Sequence, residues 1–211
     1  MNRRITTILI VALAAGLGLA LSSRLFPPNL PGKAAPAMPA LEVSKVIDAP
    51  RALAPFTLQS ANGPLTAENL KGHWTVVFVG FTHCPDVCPT ALTELAKAQK
   101  IWAEAKLPNA PRILFVSIDP ERDTPAGIAE YAAYFHPDTL TATAAEPQLG
   151  AFTRDLGLVY MKVPQGDSYT MDHSATLVLL NPKAEFAGLI RPPLKPDAIA
   201  RDLLALTKAM P

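Results

Sequence analysis

Two thiols and one imidazole carry the chemistry this sequence can do. Cys84 and Cys88 are the only cysteines in 211 residues, and they stand four apart in the stretch FTHCPDVCPT, Phe81 to Thr90. One pair cannot build a disulfide scaffold, so it is a single bridge, a redox couple or part of a metal site. If the following helix starts at Pro85 or one residue earlier, Cys84 sits at its N-terminus, where unpaired N–H groups and the dipole favour a thiolate. Cys88 then lies one turn along on the same face. Cβ atoms at that spacing are about 5–6 Å apart on a regular helix, whereas a disulfide prefers about 3.5–4.5 Å. A bridge therefore needs a distorted first turn. A shared metal needs less closeness, because metal–sulfur bonds of about 2.3 Å hold the sulfurs further apart.

Two sulfurs leave a metal site incomplete, and the chain offers four histidines. His73 and His136 are expected at the surface. His83 adjoins Cys84 but points away from the thiols if the strand alternation continues. His173, in MDHSATLVLL, is the expected third donor. In a sheet of the order described below, its segment lies opposite the cysteines. Asp172 either orients the ring or stays in solvent. Two thiolates and an imidazole suit Cu(I), the imidazole also accepts Cu(II), and zinc fits the same donors. Outside the cytoplasm, an open three-ligand site favours copper. Asp119 and Asp123 read as turn and cap residues, and Asp86 as a first-turn acid or a tuner of the thiols. Met171 reads as core, and Tyr160 and Tyr169 as packing near the site.

These side chains need a scaffold, and the hydrophobic pattern supplies one. Trp74 to Phe81 (WTVVFVGF) and Arg112 to Ile118 (RILFVSI) are continuous apolar runs, the signature of strands buried on both faces. Between them Leu92, Leu95, Ala98 and Ile101 repeat at helical spacing over Thr90 to Ala105. Thr124 followed by Pro125 predicts a capped helix start. A short strand is expected at Phe56–Ser60, a capped turn at Thr66–Leu70, a helix at Gln148–Leu156 and a strand at Val159–Val163. Ala175–Leu180 and Glu185–Ile190 predict an antiparallel hairpin, and Pro196–Thr207 a closing helix. This order predicts an α/β domain, a thioredoxin-like mixed sheet flanked by helices.

The N-terminus has a different character. Arg3 and Arg4 precede an uncharged run from Ile5 to Leu21, closed by Arg24. Seventeen residues of helix span roughly 26 Å, the short end of a membrane crossing. The flanking arginines favour a cytoplasmic N-terminus with the rest outside. A membrane anchor over 1–25, an N-terminal transmembrane helix, is the expectation. A signal peptide cleaved near Ala20-Leu21-Ser22 is the alternative. Seven prolines between Phe26 and Pro55 predict an extended tether over 26–55, with an edge strand at Leu41–Ile47 as an addition. The folded domain is expected over 56–211. A net charge of +1 gives no sign of a nucleic-acid partner. There is no internal repeat and no Gly-rich phosphate loop.

GFTHCPDVCP at Gly80–Pro89, DPERDTP at Asp119–Pro125 and DHS at Asp172–Ser174 together resemble the Sco/SenC family, membrane-anchored copper chaperones of cytochrome c oxidase assembly. The likeness covers about Phe56 to Leu206. It implies a thioredoxin-like fold, and copper, as Cu(I) or Cu(II), bound by Cys84, Cys88 and His173. It also implies delivery to, or thiol reduction at, the binuclear copper (CuA) site of oxidase subunit II. Such a protein is a metallochaperone rather than a classical enzyme, held by one pass in a bacterial-type inner membrane with its domain in the periplasm. Its expected partners are subunit II and a periplasmic copper donor or thiol reductant. Where thioredoxins carry a cis-proline before Thr-Leu, this chain has Ala175, and the cysteine spacing departs from C-x-x-C. Both departures argue against a general disulfide oxidoreductase. A thiol–disulfide reductase acting on the oxidase copper-site cysteines, through Cys84 and Cys88, is the second reading.

Overall fold

The computed structural model describes residues 39–209. The expected anchor over 1–25 and the first part of the expected tether lie outside them. Among the described residues no helix is long and apolar enough to cross a membrane.

The central strand is β4, Thr75–Gly80, with every residue buried. It pairs in parallel with β5, Arg112–Ser117, from Thr75–Arg112 to Gly80–Ser117. β6, Leu140–Ala142, continues the sheet in parallel beyond β5. On the other side β4 runs antiparallel to β9, Leu177–Leu180. β9 forms the expected hairpin with β10, Glu185–Ile190, and β1, Ser44–Ala52, closes the edge on β10. The strand order is therefore β1-β10-β9-β4-β5-β6. Leucine, valine and phenylalanine fill both faces of β4, β5 and β9, each fully buried side chain contributing about 1.5–3 kcal/mol.

Three expectations are corrected here. The tether does not run unbroken to residue 55, because Ser44–Ala52 is a strand of the main sheet. Asp202 explains its docking: its carboxylate, on a helix far along the chain, accepts the backbone N–H groups of Glu42, Val43 and Ser44 at 2.8–2.9 Å. β6 was not expected at all. And the strand after Val159 is half of a separate two-stranded hairpin, β7 (Tyr160–Gln165) with β8 (Ser168–His173), outside the main sheet. A small β2–β3 pair, Leu58–Ser60 with Gly63–Leu65, precedes them in the chain.

The helices are α1 (Ala67–Leu70), α2 (Val87–Glu104), α3 (Pro125–Phe135), α4 (Gln148–Asp155) and α5 (Pro196–Ala209). Thr124 caps α3 as the sequence predicts, its hydroxyl accepting the Gly127 N–H at 3.1 Å. α2 and α5 pack together, and the Trp102 indole N–H donates to the Ala200 carbonyl at 3.2 Å.

Candidate metal centre

The site stands where β4 ends and α2 begins. α2 starts at Val87 with Asp86 as its N-cap, so the expected start at Pro85 is two residues early. Cys84 is consequently not on the helix. Its N–H donates to the Phe81 carbonyl in a turn, at 3.3 Å. The chain then folds back, so that the Cys84 sulfur accepts the Cys88 N–H at 3.4 Å. The sulfur thus takes up one of the orphan donors at the helix start. This is not the regular i, i+4 spacing on one face that the sequence suggested.

Cys88 is fully buried and Cys84 partly so, and neither is in a disulfide. Gly80 makes room for the deeper sulfur. A Cβ at Gly80 would stand 2.9 Å from Cys88 Sγ and 3.0 Å from the Phe115 ring. Burial pushes the Cys88 thiol far above its ordinary pKa, the Cys84 thiol and the Asp123 charge adding to the effect. Without a cation beside it, Cys88 stays protonated at neutral pH.

His173 ends β8, and its Nε2 is 3.7 Å from Cys88 Sγ. Its Nδ1 is 3.1 Å from the Ser174 carbonyl. A carbonyl only accepts, so in the neutral ring Nδ1 carries the hydrogen and Nε2 presents a lone pair toward the thiols. The Phe78 and Phe81 rings flank the imidazole at 6.4 and 6.3 Å, both edge-on. An apolar groove of about 460 Å³, lined by Phe78, Val87, Leu177 and Leu194, reaches His173 from solvent. The two thiols and the imidazole thus meet at one corner, but they do not form a closed cage. Among the described residues no three His, Cys, Asp or Glu side chains are grouped tightly enough to hold a metal ion as they stand.

The loop Asp119–Asp123 touches both halves of this corner. Asp119, buried, accepts from Arg122 Nε at 2.5 Å and from the Tyr169 hydroxyl at 2.8 Å. Arg122 lies over the Tyr169 ring at 3.8 Å and donates to the Tyr169 carbonyl at 3.2 Å. Tyr169 belongs to β8, so this latch secures the hairpin that ends in His173. Desolvation and the bond to Asp119 push the Tyr169 hydroxyl up to about 12, which keeps it a donor. Asp123 binds the other half, through Thr82.

The remaining expected residues fall outside the centre. His73 is half-buried, with Nδ1 2.8 Å from the Ala110 carbonyl. His136 is buried rather than at the surface, and its Nδ1 accepts the Asp138 N–H at 3.2 Å. Both line a cleft at the opposite end of β4 and β5. His83 is half-exposed, its Nδ1 3.1 Å from the Thr82 hydroxyl. Met171 is core, and the Tyr160 hydroxyl bonds Glu146. Asp172 is exposed on β8. The sequence reading missed the roles of Gly80, Thr82, Ser117 and Arg122. The one available signal was a glycine at the end of a strand otherwise made of bulky residues.

Comparisons with known proteins place the chain among a family and beside similar structures. A family model described as SCO1/SenC matches residues 45–208. The chain is 39% identical over 135 residues to "Protein SCO1 homolog 1, mitochondrial" of Arabidopsis thaliana, covering 63% of this chain and 40% of that protein. It is 34% identical over 142 residues to a "Putative copper-binding protein" of Stutzerimonas stutzeri, covering 66% of this chain and 69% of the relative. Among solved structures, Bradyrhizobium japonicum ScoI with copper bound is similar at 34% identity with a TM-score of 0.66. That match covers 72% of this chain and 98% of the other.

Proposed function

The chain belongs to the SCO1/SenC family, and from that premise we propose that it is a copper-binding assembly factor. Its cargo is one copper ion, held by Cys84, Cys88 and His173. The observation that carries the reading is the 3.7 Å approach of His173 Nε2 to the buried Cys88 sulfur, with Nδ1 engaged elsewhere. The donor set fits copper: soft thiolates suit Cu(I), and the imidazole extends the set to Cu(II). Copper bound to the similar Bradyrhizobium protein supports the same assignment. Turning the Cys84 side chain off the Cys88 N–H completes the set. The cation must displace the Cys88 proton, and its charge then offsets what burial makes unfavourable.

The wider reading follows the family resemblance. The chain delivers copper to the CuA site of cytochrome c oxidase subunit II from the periplasmic side of a bacterial-type inner membrane, anchored by residues 1–25. Domain boundaries at 1–25 and 26–43, with the folded part from 44 onward, suit this placement.

The test is transfer. Full-length protein loaded with copper is mixed with the soluble copper-site domain of subunit II, and metal is measured in each after separation. The expected result is one copper per chain, moving to the subunit II domain, and no loading in Cys84→Ala or Cys88→Ala. Full loading in both variants, or no transfer from loaded wild type, overturns the proposal.

One observation favours a second activity at the same thiols. The Cys84 sulfur is folded back onto Cys88 rather than held a helical turn away, so the pair can serve as a reductant of the target cysteines between copper loads. Reduction of a subunit II disulfide by the metal-free protein, retained in His173→Ala, is the expected sign.

A further inference from the structure

Asp123 lies outside the donor set, and its carboxylate is almost wholly enclosed, with 1% of the side chain exposed. Its hydrogen bonds lead to one place. Oδ2 accepts the Thr82 backbone N–H at 2.9 Å and the Ser117 hydroxyl at 2.5 Å, and Oδ1 accepts the Thr82 hydroxyl at 2.5 Å. Thr82 lies between the end of β4 and Cys84, in the turn closed by the Cys84 N–H to Phe81 carbonyl bond. Ser117 is the last residue of β5 and pairs with Gly80. The carboxylate therefore ties the end of the two central strands to the loop that presents Cys84. The same charge is felt at Cys88, whose thiol it helps to keep protonated. A carboxylate with this many donors is a rigid acceptor, since it has no proton of its own to reorient.

We propose that Asp123 is a positioning residue: through Thr82 it fixes the loop that presents Cys84, and its buried charge favours Cu(II) over Cu(I) at the thiols. With the same ligands, Cu(II) leaves the site one unit more positive than Cu(I), so a fixed anion nearby stabilises the oxidised ion more. The position and charge effects can be separated by substitution. In Asp123→Asn the amide oxygen can still accept from Thr82 N–H and Ser117, while the NH2 group meets the Thr82 hydroxyl, which rotates to accept. Asp123→Asn thus keeps most of the clamp and removes the charge. Asp123→Ala removes both.

This inference rests on the copper reading for its second half only. The experiment uses full-length protein, wild type and both variants. Metal-free protein is followed by hydrogen exchange at the Thr82 amide and by the rate of Cys84 alkylation. Loaded protein is followed by competitive titration with Cu(I) and with Cu(II). In Asp123→Ala the Thr82 amide should exchange at least about tenfold faster and the Cys84 alkylation rate should change with it, while Asp123→Asn should stay near wild type in both. In both variants Cu(II) affinity should fall relative to Cu(I), by about 10–100-fold, as for loss of a partner behind a metal ligand. A Thr82 amide unchanged in Asp123→Ala overturns the clamp. An unchanged Cu(II) to Cu(I) ratio in Asp123→Asn overturns the charge effect, and Asp123→Asn supplies that ratio if the alanine variant does not fold. If wild type binds no copper, the copper reading and the charge effect fall together, and Thr82 exchange with Cys84 alkylation decides the clamp.

Discussion

The two sides of the proposed donor set are held in opposite ways. Cys88 is part of the core, at the second residue of an 18-residue helix, in space that Gly80 leaves at the end of the central strand. Its sulfur lies beside Gly80 of β4, with none of the residue exposed. His173 ends a two-stranded hairpin that shares no ladder with the main sheet. The body holds that hairpin through the Asp119–Arg122–Tyr169 latch and the Lys162–Glu121 ion pair. A core-mounted thiol is preorganised and slow to change. A ligand on a latched hairpin can leave and return without unfolding the domain, because local opening draws on the few contacts of that element. The proposed role, to hold copper and then surrender it, would need this difference between the proposed ligands.

Breaking the core side should have the largest effect. Cys88→Ala should lower copper affinity by more than the roughly 100-fold that follows loss of a supporting partner, while thermal stability falls by only about 1 kcal/mol. Competitive copper titration beside a melting curve checks this. Gly80→Ala attacks the same side by crowding. It should displace the Cys88 sulfur, weaken copper binding by about 10–100-fold and destabilise the fold by about 1–3 kcal/mol through overpacking.

Loosening the hairpin should have a smaller effect of a different kind. Arg122→Gln with Tyr169→Phe should lower affinity by about tenfold and speed copper loss to a chelator, with the main sheet intact by amide exchange. Equal losses from the Gly80 and Arg122 variants in both affinity and release rate would erase the distinction between the two sides.

Acidity sharpens the comparison further. The Cys88 thiol, raised by burial, holds its proton across the neutral range. Copper must displace that proton, so apparent affinity should rise with pH, about tenfold per unit for each proton released. Affinity that is flat between pH 6 and 8, a range of about two units, would contradict a protonated Cys88. The smallest effect on copper should come from Asp202→Ala. It frees the edge strand, at a cost of about 1.5–3 kcal/mol for lost charge-assisted bonds, and should leave copper affinity unchanged.

What the sequence made legible follows the same division. β4 and β5 read clearly as buried strands because an unbroken apolar run admits few other readings, and the α3 start read clearly because Thr124-Pro125 carries its own cap chemistry. β8, Ser168–His173, was missed because Ser, Tyr, Thr and Asp on a hairpin outside the core show no alternation against a buried face. β6 was missed because a three-residue strand takes its identity from pairing with β5, not from its own pattern. The α2 start was misplaced because Pro85 is as good a first helical residue as Val87, and only the fold-back of Cys84 decides between them. The partnership of Cys88 with His173 spans 85 residues. It was readable only by assuming the sheet order and a family likeness. The buried roles of Asp119 and Asp123 were hidden because an acid in a turn looks the same in sequence whether it faces water or a loop backbone.

The most direct test of the central claim is an anaerobic Cu(I) titration of the full-length protein, wild type beside His173→Ala, with a melting curve for each. The account predicts one copper per wild-type chain. For the variant it predicts affinity at least about tenfold weaker, with an unchanged melting temperature. Equal affinity and stoichiometry in the two proteins would contradict it, leaving the thiols alone as the copper site and the hairpin without a part in holding the metal.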